Sequence, residues 1–342
     1  MNKDTNRTPL SDFGEFGLIE HLTKDVEIIN KSTLKAVGDD AAVINYGVKT
    51  MVASTDILLE GIHFDLTYTP LKHLGYKAAV VNFSDIYAMN AKPTQLLVAI
   101  GISSRFCVEE IEQIYDGIKL ACTTYGVDLV GGDTSSSLTG LTLSITALGE
   151  ADKEKICYRS GAQPNDLICL TGNLGAAYMG LQLLEREKKV FEGNTNVQPQ
   201  FDGYDYILQR FLKPEARKDI IDSMLEVGVV PTSMIDISDG LSSEILHICT
   251  QSNVGARIYL ERIPIAAQTF KIAEEMGIDA VTAALNGGED YELLFTIPLT
   301  FRDKIKDLGA IDVIGRITES GAVLVTPEGG EINLQAQGWK HV

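Results

Sequence analysis

Positive charge is scarce in this chain. Its 342 residues carry 29 Lys and Arg against 47 Asp and Glu, a formal net charge of −18. A surface of that sign repels phosphate backbones and anionic lipid, which argues against a nucleic-acid binder or a protein of anionic membrane surfaces. Long apolar runs are missing too. No stretch is long enough to cross a bilayer, and the opening MNKDTNRTPLSDFG has no apolar h-region. Cysteine is sparse and scattered: Cys107, Cys122, Cys157, Cys169 and Cys249 form no CxxC pair and are odd in number. Free thiols in a reducing compartment fit better than a disulfide framework or a zinc site. A cytoplasmic protein without nucleic-acid or membrane partners is therefore expected. GxxxxGK[ST], GxGxxG, HExxH and GxSxG are absent as well, so P-loop, dinucleotide, zinc-protease and α/β-hydrolase chemistry are not indicated.

What is present is apolar material for more than one core, with two domains as the natural division, placed at 1–150 and 151–342. In the first half, KTMVASTD, TQLLVAIGIS, DLVGGD and LTLSITALGEA read as strands. LKHLGYKAAVVNFSDIYAM and VEEIEQIYDGIKLACTTYG read as helices, the second stopping at Gly126. The order β-α-β-α-β-β predicts an α+β layer with helices on one face of a mixed sheet. After the turn-rich DKEKICYRSGAQPND, strands are expected at DLICLTG, SMIDIS, GARIYL, YELLFTIP, IDVIGRITE and AVLVTP. Helices are expected at LGAAYMGLQLLEREKK and GLSSEILHICTQ, with a polar loop at VFEGNTNVQPQFDGYD.

Carboxylates recur beside small residues at strand ends and glycine turns. Asp40 stands in VGDDAAV, Asp56 in ASTD, Asp133 in VGGDTSS, Asp236 and Asp239 in IDISDGL, and Glu289 and Asp290 in NGGEDYEL. Asp85 in NFSD lies inside an apolar helix. Each alone suits a cap, a turn or a solvated position. Together they suit hard divalent cations: Mg²⁺ prefers carboxylate oxygens and shares its shell with substrate phosphates. Such ions would also present positive charge to an anionic ligand in an acidic protein. Arg159 in YRSGAQ is a candidate phosphate clamp. His63 in EGIHFD, taken by itself, reads as a structural histidine.

GEFGLIEHL, VGDDAAV, STDILLEGIHF, KAAVVNFSDIYAMNAKP, LVGGDT, RSGAQPND, IDISDGL, NGGEDYEL and GWKH, in that order, resemble the thiamine-monophosphate kinase family. The resemblance runs from about Gly14 to the C-terminus. It implies the two-domain fold of the aminoimidazole-ribonucleotide synthetase-like ATP-binding superfamily. In that fold an N-terminal domain binds metal and ATP and forms a homodimer through its sheet. A C-terminal α/β domain completes the site. The implied reaction is ATP plus thiamine monophosphate giving ADP plus thiamine diphosphate, with several Mg²⁺ ions and no protein nucleophile. The implied Mg²⁺ ligands are Asp40, Ser54, Thr55, Asp56, Asp85, Asp133, Asp236 and Asp239. Tyr115, Gly132, Asp133, Arg159 and Ser238 match ATP contacts, and His63, Glu289 and Trp339 match thiamine-phosphate contacts. Trp339 is the single tryptophan, an aromatic face suited to a flat cationic heterocycle. Phe83, Tyr87, Asn90 and Asn165 depart from the usual pattern, and none of them replaces a carboxylate. Two alternatives remain: another ATP-dependent synthetase of the superfamily, or a non-catalytic nucleotide- or thiamine-phosphate-binding protein.

Overall fold

A computed structural model of the chain describes residues 8, 12–13, 18, 21–35, 43–193 and 200–337. Asp40 and Trp339 lie outside the described residues. The chain divides into two compact units: Met1–Ile86 with Ala91–Lys153, and Tyr87–Asn90 with Glu154–Val342. Residues 87–90 group with the second unit through local bonds. The Cys157 N–H donates to the Met89 carbonyl at 3.1 Å, and Asn90 Nδ2 donates to the Lys155 carbonyl at 2.7 Å.

The first unit contains β1 (Thr33–Lys35), β2 (Val43–Ile44), β3 (Thr50–Leu59), α1 (Leu71–Ala88), β4 (Lys92–Ile102), α2 (Val108–Tyr125), β5 (Asp128–Ser136) and β6 (Thr142–Ala151). Four of these strands form one sheet in the order β3-β6-β4-β5. It is mixed: β4 and β5 are parallel, while β6 is antiparallel to both β3 and β4. Burial alternates along β6. Leu143, Ile145 and Ala147 are buried, and Ser144, Thr146 and Leu148 are half-buried. The buried face carries the helices; a Cβ on Gly149 of β6 would meet Ile86 of α1. α1 is buried almost all round from Leu74 onward, as expected for a helix without a polar face. α2 is amphipathic, and Gly126 ends it in the left-handed region at φ 71°.

The two helices cross with their backbones in contact. A Cβ on Gly75 would overlap the Ile114 carbonyl, and a Cβ on Gly117 would overlap the Lys72 carbonyl. Asp128 at the start of β5 is fully buried and anchors the segment before β1. It accepts from the Ile29 N–H at 2.6 Å, the Asn30 N–H at 3.0 Å and Thr33 Oγ1 at 2.5 Å.

The second unit contains β7 (Leu167–Thr171), α3 (Ala176–Gly193), α4 (Asp205–Leu212), α5 (Lys218–Glu226), β8 (Ser233–Asp236), α6 (Leu241–Ser252), β9 (Gly255–Tyr259), α7 (Ala267–Met276), α8 (Ala280–Asn286), β10 (Leu293–Ile297), α9 (Arg302–Ile305), β11 (Ile311–Thr318), β12 (Ala322–Val325) and β13 (Glu331–Asn333). Its seven strands run in the order β13-β12-β9-β11-β7-β10-β8. Only the β9–β12 pair is parallel. One face buries Ile168, Leu170, Ile258 and Leu294 against Leu241, Ile245 and Ile248 of α6. A second apolar cluster joins α3, α4, α7 and α8 through Met179, Leu183, Ile207, Ile272 and Ala283.

Two sequence expectations are corrected in this unit. The helix at LGAAYMGLQLLEREKK continues through Val190–Gly193, into the stretch read as a loop, and five helices (α4, α5, α7, α8 and the four-residue α9) went unread. The strand read at YELLFTIP begins at Leu293, because Tyr291 adopts φ 52° and leaves the extended region.

The α1–α2 crossing generates a stability prediction. Gly117→Ala gains about 1 kcal/mol in helix propensity but forces the helices apart. Overpacking of this kind costs about 1–3 kcal/mol or more. A net loss of stability is expected, read as a lower urea midpoint at unchanged slope. A raised midpoint would show that the helices do not meet at this glycine.

Candidate functional site

On β3, alternation sends Ser54 and Asp56 to the face carrying α1 and sends Thr55 to the open face. Ser54 Oγ donates to Asp85 Oδ2 of α1 at 2.5 Å. The Asp56 N–H donates to Asn82 Oδ1 at 3.1 Å, and Asn82 Nδ2 donates to the Ala78 carbonyl at 3.0 Å. Asn82 and Asp85 are three apart on α1 and so share a face. Ser54, Asp56 and Asp85 are thereby brought together. Burial first, and the neighbouring Asp85 charge second, push the Asp56 carboxyl up to about 6. Among the described residues nothing donates a hydrogen bond to that carboxylate. Thr55 is engaged elsewhere: its Oγ1 bonds the Ile145 carbonyl at 3.0 Å and lies 2.9 Å from Thr146 Oγ1.

The sheet does not bring Asp133 to this group. In register, Asp56 lies level with Ile145, Val98 and Gly132. β3 and β5 are the two edges, three strand spacings or about 14 Å apart. Asp133 is exposed on β5, where its Oδ1 accepts from the Thr134 N–H at 2.9 Å. Gly132 is required by packing, since any Cβ would overlap the Val98 backbone. Tyr115 is buried on the core stripe of α2, and burial pushes its phenol up to about 12. His63 follows β3 in the turn 60–64, and its Nδ1 accepts the Leu59 N–H at 3.0 Å. In the neutral ring the proton therefore sits on Nε2, which is then a donor.

In the second unit, Asp236 is buried at the end of β8. The next residues run antiparallel to the NGGEDYEL segment. The Ile237 N–H donates to the Glu292 carbonyl at 2.8 Å, the Glu289 N–H to the Ser238 carbonyl at 2.8 Å, and the Tyr291 N–H to the Ile237 carbonyl at 2.9 Å. Asp236, Ser238, Asp239 and Glu289 thus share one turn. Glu289 and Tyr291 hold φ of 58° and 52°, left-handed values that non-glycine residues adopt mainly where surroundings enforce them. Gly288 is required beside them, because a Cβ there would overlap the Ser238 carbonyl.

Sequence reading missed Glu244, which holds this turn from below. Its Oε1 accepts from the Asp239 N–H at 2.8 Å and the Ser238 N–H at 3.3 Å. Its Oε2 is buried without a partner among the described residues, and burial pushes the carboxyl up to about 7. The available signal was an acid in the first turn of the helix after SDG. Arg159 is exposed, while its carbonyl accepts from Ser252 Oγ at 3.3 Å. Ser252 Oγ also accepts from the Gly161 and Ala162 N–H groups at 3.1 and 3.2 Å, so the backbone of RSGA is pinned.

Two carboxylates of the acidic segment are structural. Asp290 is buried at the N-terminus of α3 and accepts from the Gly175 N–H at 2.7 Å and the Ala177 N–H at 3.3 Å. Glu292 is gripped by Arg210 at 2.9 Å, Arg217 at 3.0 Å and Thr171 Oγ1 at 2.6 Å.

No group of three or more His, Cys, Asp or Glu that could hold a metal occurs among the described residues. The half-buried Asp56–Asp85 pair with Ser54 instead fits Mg²⁺, which uses one or two carboxylates and completes its shell with water and substrate phosphates.

Comparison with known proteins finds relatives along nearly the whole chain. The family described as AIR synthase related protein, N-terminal domain, matches residues 38–151. The thiamine-monophosphate kinase of Aquifex aeolicus (strain VF5) is 34% identical over 332 residues, 97% of this chain and 99% of that protein. The solved thiamine-monophosphate kinase of Stenotrophomonas maltophilia K279a superposes with a TM-score of 0.77 at 29% identity, covering 92% of this chain and 95% of that one. A solved AaThiL complexed with AMPPCP and TMP has a TM-score of 0.76 at 31% identity, covering 99% and 100%.

The raised Asp56 carboxyl gives stability a definite pH dependence in metal-free buffer. Its folded value, about 6, exceeds the ordinary 3.8. The stability it contributes is complete below about pH 4, falls as pH rises through 6, and is level above that. Asp56→Asn should match the native protein near pH 4 and exceed its stability at pH 8 by on the order of 2–3 kcal/mol. Saturating Mg²⁺ should raise the native melting temperature more than that of Asp56→Asn. Equal stability at pH 8 would mean that the carboxylate is already satisfied without metal.

Proposed function

The chain belongs to the thiamine-monophosphate kinase family, and from that premise we infer that it transfers the terminal phosphoryl group of ATP to thiamine monophosphate, giving thiamine diphosphate and ADP. The observation that carries this for the chain's own residues is the Ser54–Asp85 bond beside the half-buried Asp56. It places two carboxylates side by side, one of them raised by burial and by the other's charge, in an acidic protein whose substrates are anions. Asp56, Asp85 and Ser54 would hold Mg²⁺ from the first unit, with Asp40 and Asp133. Asp236 and Asp239 would do so from the second. Thr55, its hydroxyl engaged, would take part through its main chain. Mg²⁺ when bound supplies charge neutralisation and in-line orientation for phosphoryl transfer.

The acceptor is a phosphate oxygen, already ionised near neutral pH, so the protein needs no strong general base. Arg159 would clamp ATP phosphate bidentately, with Ser238, Gly132 and Tyr115 completing the nucleotide contacts. His63 would donate from Nε2 to the thiamine phosphate, with Glu289 and Trp339 receiving the thiamine portion. The reaction would run in the cytoplasm, consistent with free thiols throughout.

Purified protein with ATP, Mg²⁺ and thiamine monophosphate should form thiamine diphosphate and ADP in equal amounts, without a phosphoenzyme. Asp85→Asn should lower kcat/KM by roughly 100-fold or more while the apo-protein stays folded. Absence of thiamine diphosphate at saturating substrates would sink the assignment, and a kinetically competent phosphoenzyme would sink the direct route.

A homodimer is proposed through the open face of the β3-β6-β4-β5 sheet. Met51 and Ile57 are each 53% exposed there. Ile57 lies level with Ser144 and Ala99, which are small and uncharged, while Met51 lies level with Glu150 and Lys92 at the rim. Sedimentation should give twice the 37.2 kDa chain mass. Ile57→Glu should shift the protein toward monomer, and a native monomer would overturn this interface.

A further inference from the structure

A cleft of about 780 Å³ opens on the second unit, on strands away from the acidic turn. Arg316 of β11 lies level with Leu167 of β7, and Asp236 lies level with Leu293 and Thr171. From Thr171 to Leu167 is four residues, about 13 Å along the strand, and β11 stands three strands from β8, about 14 Å across. The cleft therefore belongs to a different part of the sheet.

Its chemistry is opposite in sign to that of the chain. Arg262, Arg302 and Arg316 line it from three separate segments. None of the three forms an ion pair among the described residues. Arg159 apart, the other arginines of this unit are paired, among them Arg257 with Glu331 at 2.5 Å, Arg210 with Glu292 at 2.9 Å and Arg217 with Asp219 at 2.7 Å. In a chain with 47 acids and 29 Lys and Arg, three unpaired guanidiniums on one cleft are a conspicuous exception. The Arg262 guanidinium carbon lies 4.6 Å from the centroid of the Tyr259 ring, which pre-orients the fork and leaves its donors for a ligand. Leu167, Val313 and Pro264 contribute an apolar patch to an otherwise polar lining. Glu261 and Asp312 also line the cleft and would disfavour a bare polyanion relative to one with a donor-bearing or cationic body.

We propose that this cleft is a second, metal-independent site for a small organic diphosphate, whose phosphates are held by Arg262, Arg302 and Arg316 and whose body lies on Tyr259 and the apolar patch. Guanidinium recognises phosphate bidentately, and the cleft is of ligand size. The inference stands apart from the kinase reading, since no residue of the catalytic assignment lines the cleft.

The test is calorimetric titration in EDTA, where an acidic site lacking cations repels phosphate. Thiamine diphosphate and inorganic diphosphate serve as probes, because both carry the phosphates and only one carries a flat cationic body. Saturable binding of one molecule per chain is expected, tighter for thiamine diphosphate. Arg→Gln changes at 262, 302 and 316 should each weaken it roughly tenfold. The three side chains are exposed, so melting temperature and kcat without added effector should stay at native values. No saturable binding below about 10 mM, or native affinity in the triple variant, would overturn the site. Equal affinity for the two probes would overturn the organic body.

Discussion

Repulsion between carboxylates that the fold holds in fixed places is the constraint on which the rest of this molecule depends. Asp56 and Asp85 are positioned by a ten-residue strand and an eighteen-residue helix, not by loops. Neither can swing away to relieve the other. Register pins β3 to β6 along its whole length. The crossing at Gly75 and Gly117 lets the two helices approach to backbone contact. The apolar cores supply the free energy that offsets the charge repulsion, and a divalent cation would reverse its sign. A rigid, mutually repelling donor pair is also selective: it gains most from a small, highly charged ion.

The same chain contains carboxylates that look alike in sequence and differ in satisfaction. Asp128 receives two backbone N–H groups and a hydroxyl. Asp290 caps α3, and Glu292 receives two arginines and a threonine. Each is closed by its own neighbours and asks for no ligand. Asp56 and Asp239 accept no side-chain hydrogen bond among the described residues. The division between structural and ligand-seeking acids is thus a matter of donors, and donors arrive from residues about 100 positions away in the chain.

That is why the sequence was legible in some places and not in others. The β-α-β-α-β-β order of the first unit, with its two long helices, was readable because nine- to eighteen-residue segments carry several periods of pattern. The helices of seven to ten residues that went unread, α4, α5, α7 and α8, show two or three turns at most, too few to stand out from an amphipathic loop. NGGEDYEL reads as a strand from composition, but its first residues are held at positive φ by bonds to Ile237 and Ser238 that no local pattern reports. Sequence spacing marked Ser54, Asp56 and Asp85 as separate motifs; only the strand–helix contact makes them one group. Asp133 looked equivalent and is carried to the opposite sheet edge by strand order, which composition does not encode.

The turn after β8 explains why a phosphate-handling protein can do without a glycine-rich phosphate loop. Such loops hold phosphate with successive main-chain N–H groups. Here the N–H groups of Ser238 and Asp239 point at Glu244 Oε1, and those of Glu289 and Tyr291 bond the carbonyls of Ser238 and Ile237. The local amide donors are therefore engaged inside the turn. What the turn presents outward is carboxylate, strained into place at Glu289 and supported from beneath by a buried acid. An anion could approach that surface only with cations between, or with a guanidinium such as Arg159 reaching it from the segment that Ser252 pins. On the proposed readings, two different solutions to phosphate recognition would share one unit: acid plus metal at the turn beyond β8, and bare arginine in the cleft over β7, β9 and β11, each placed where the other's charge is screened by distance.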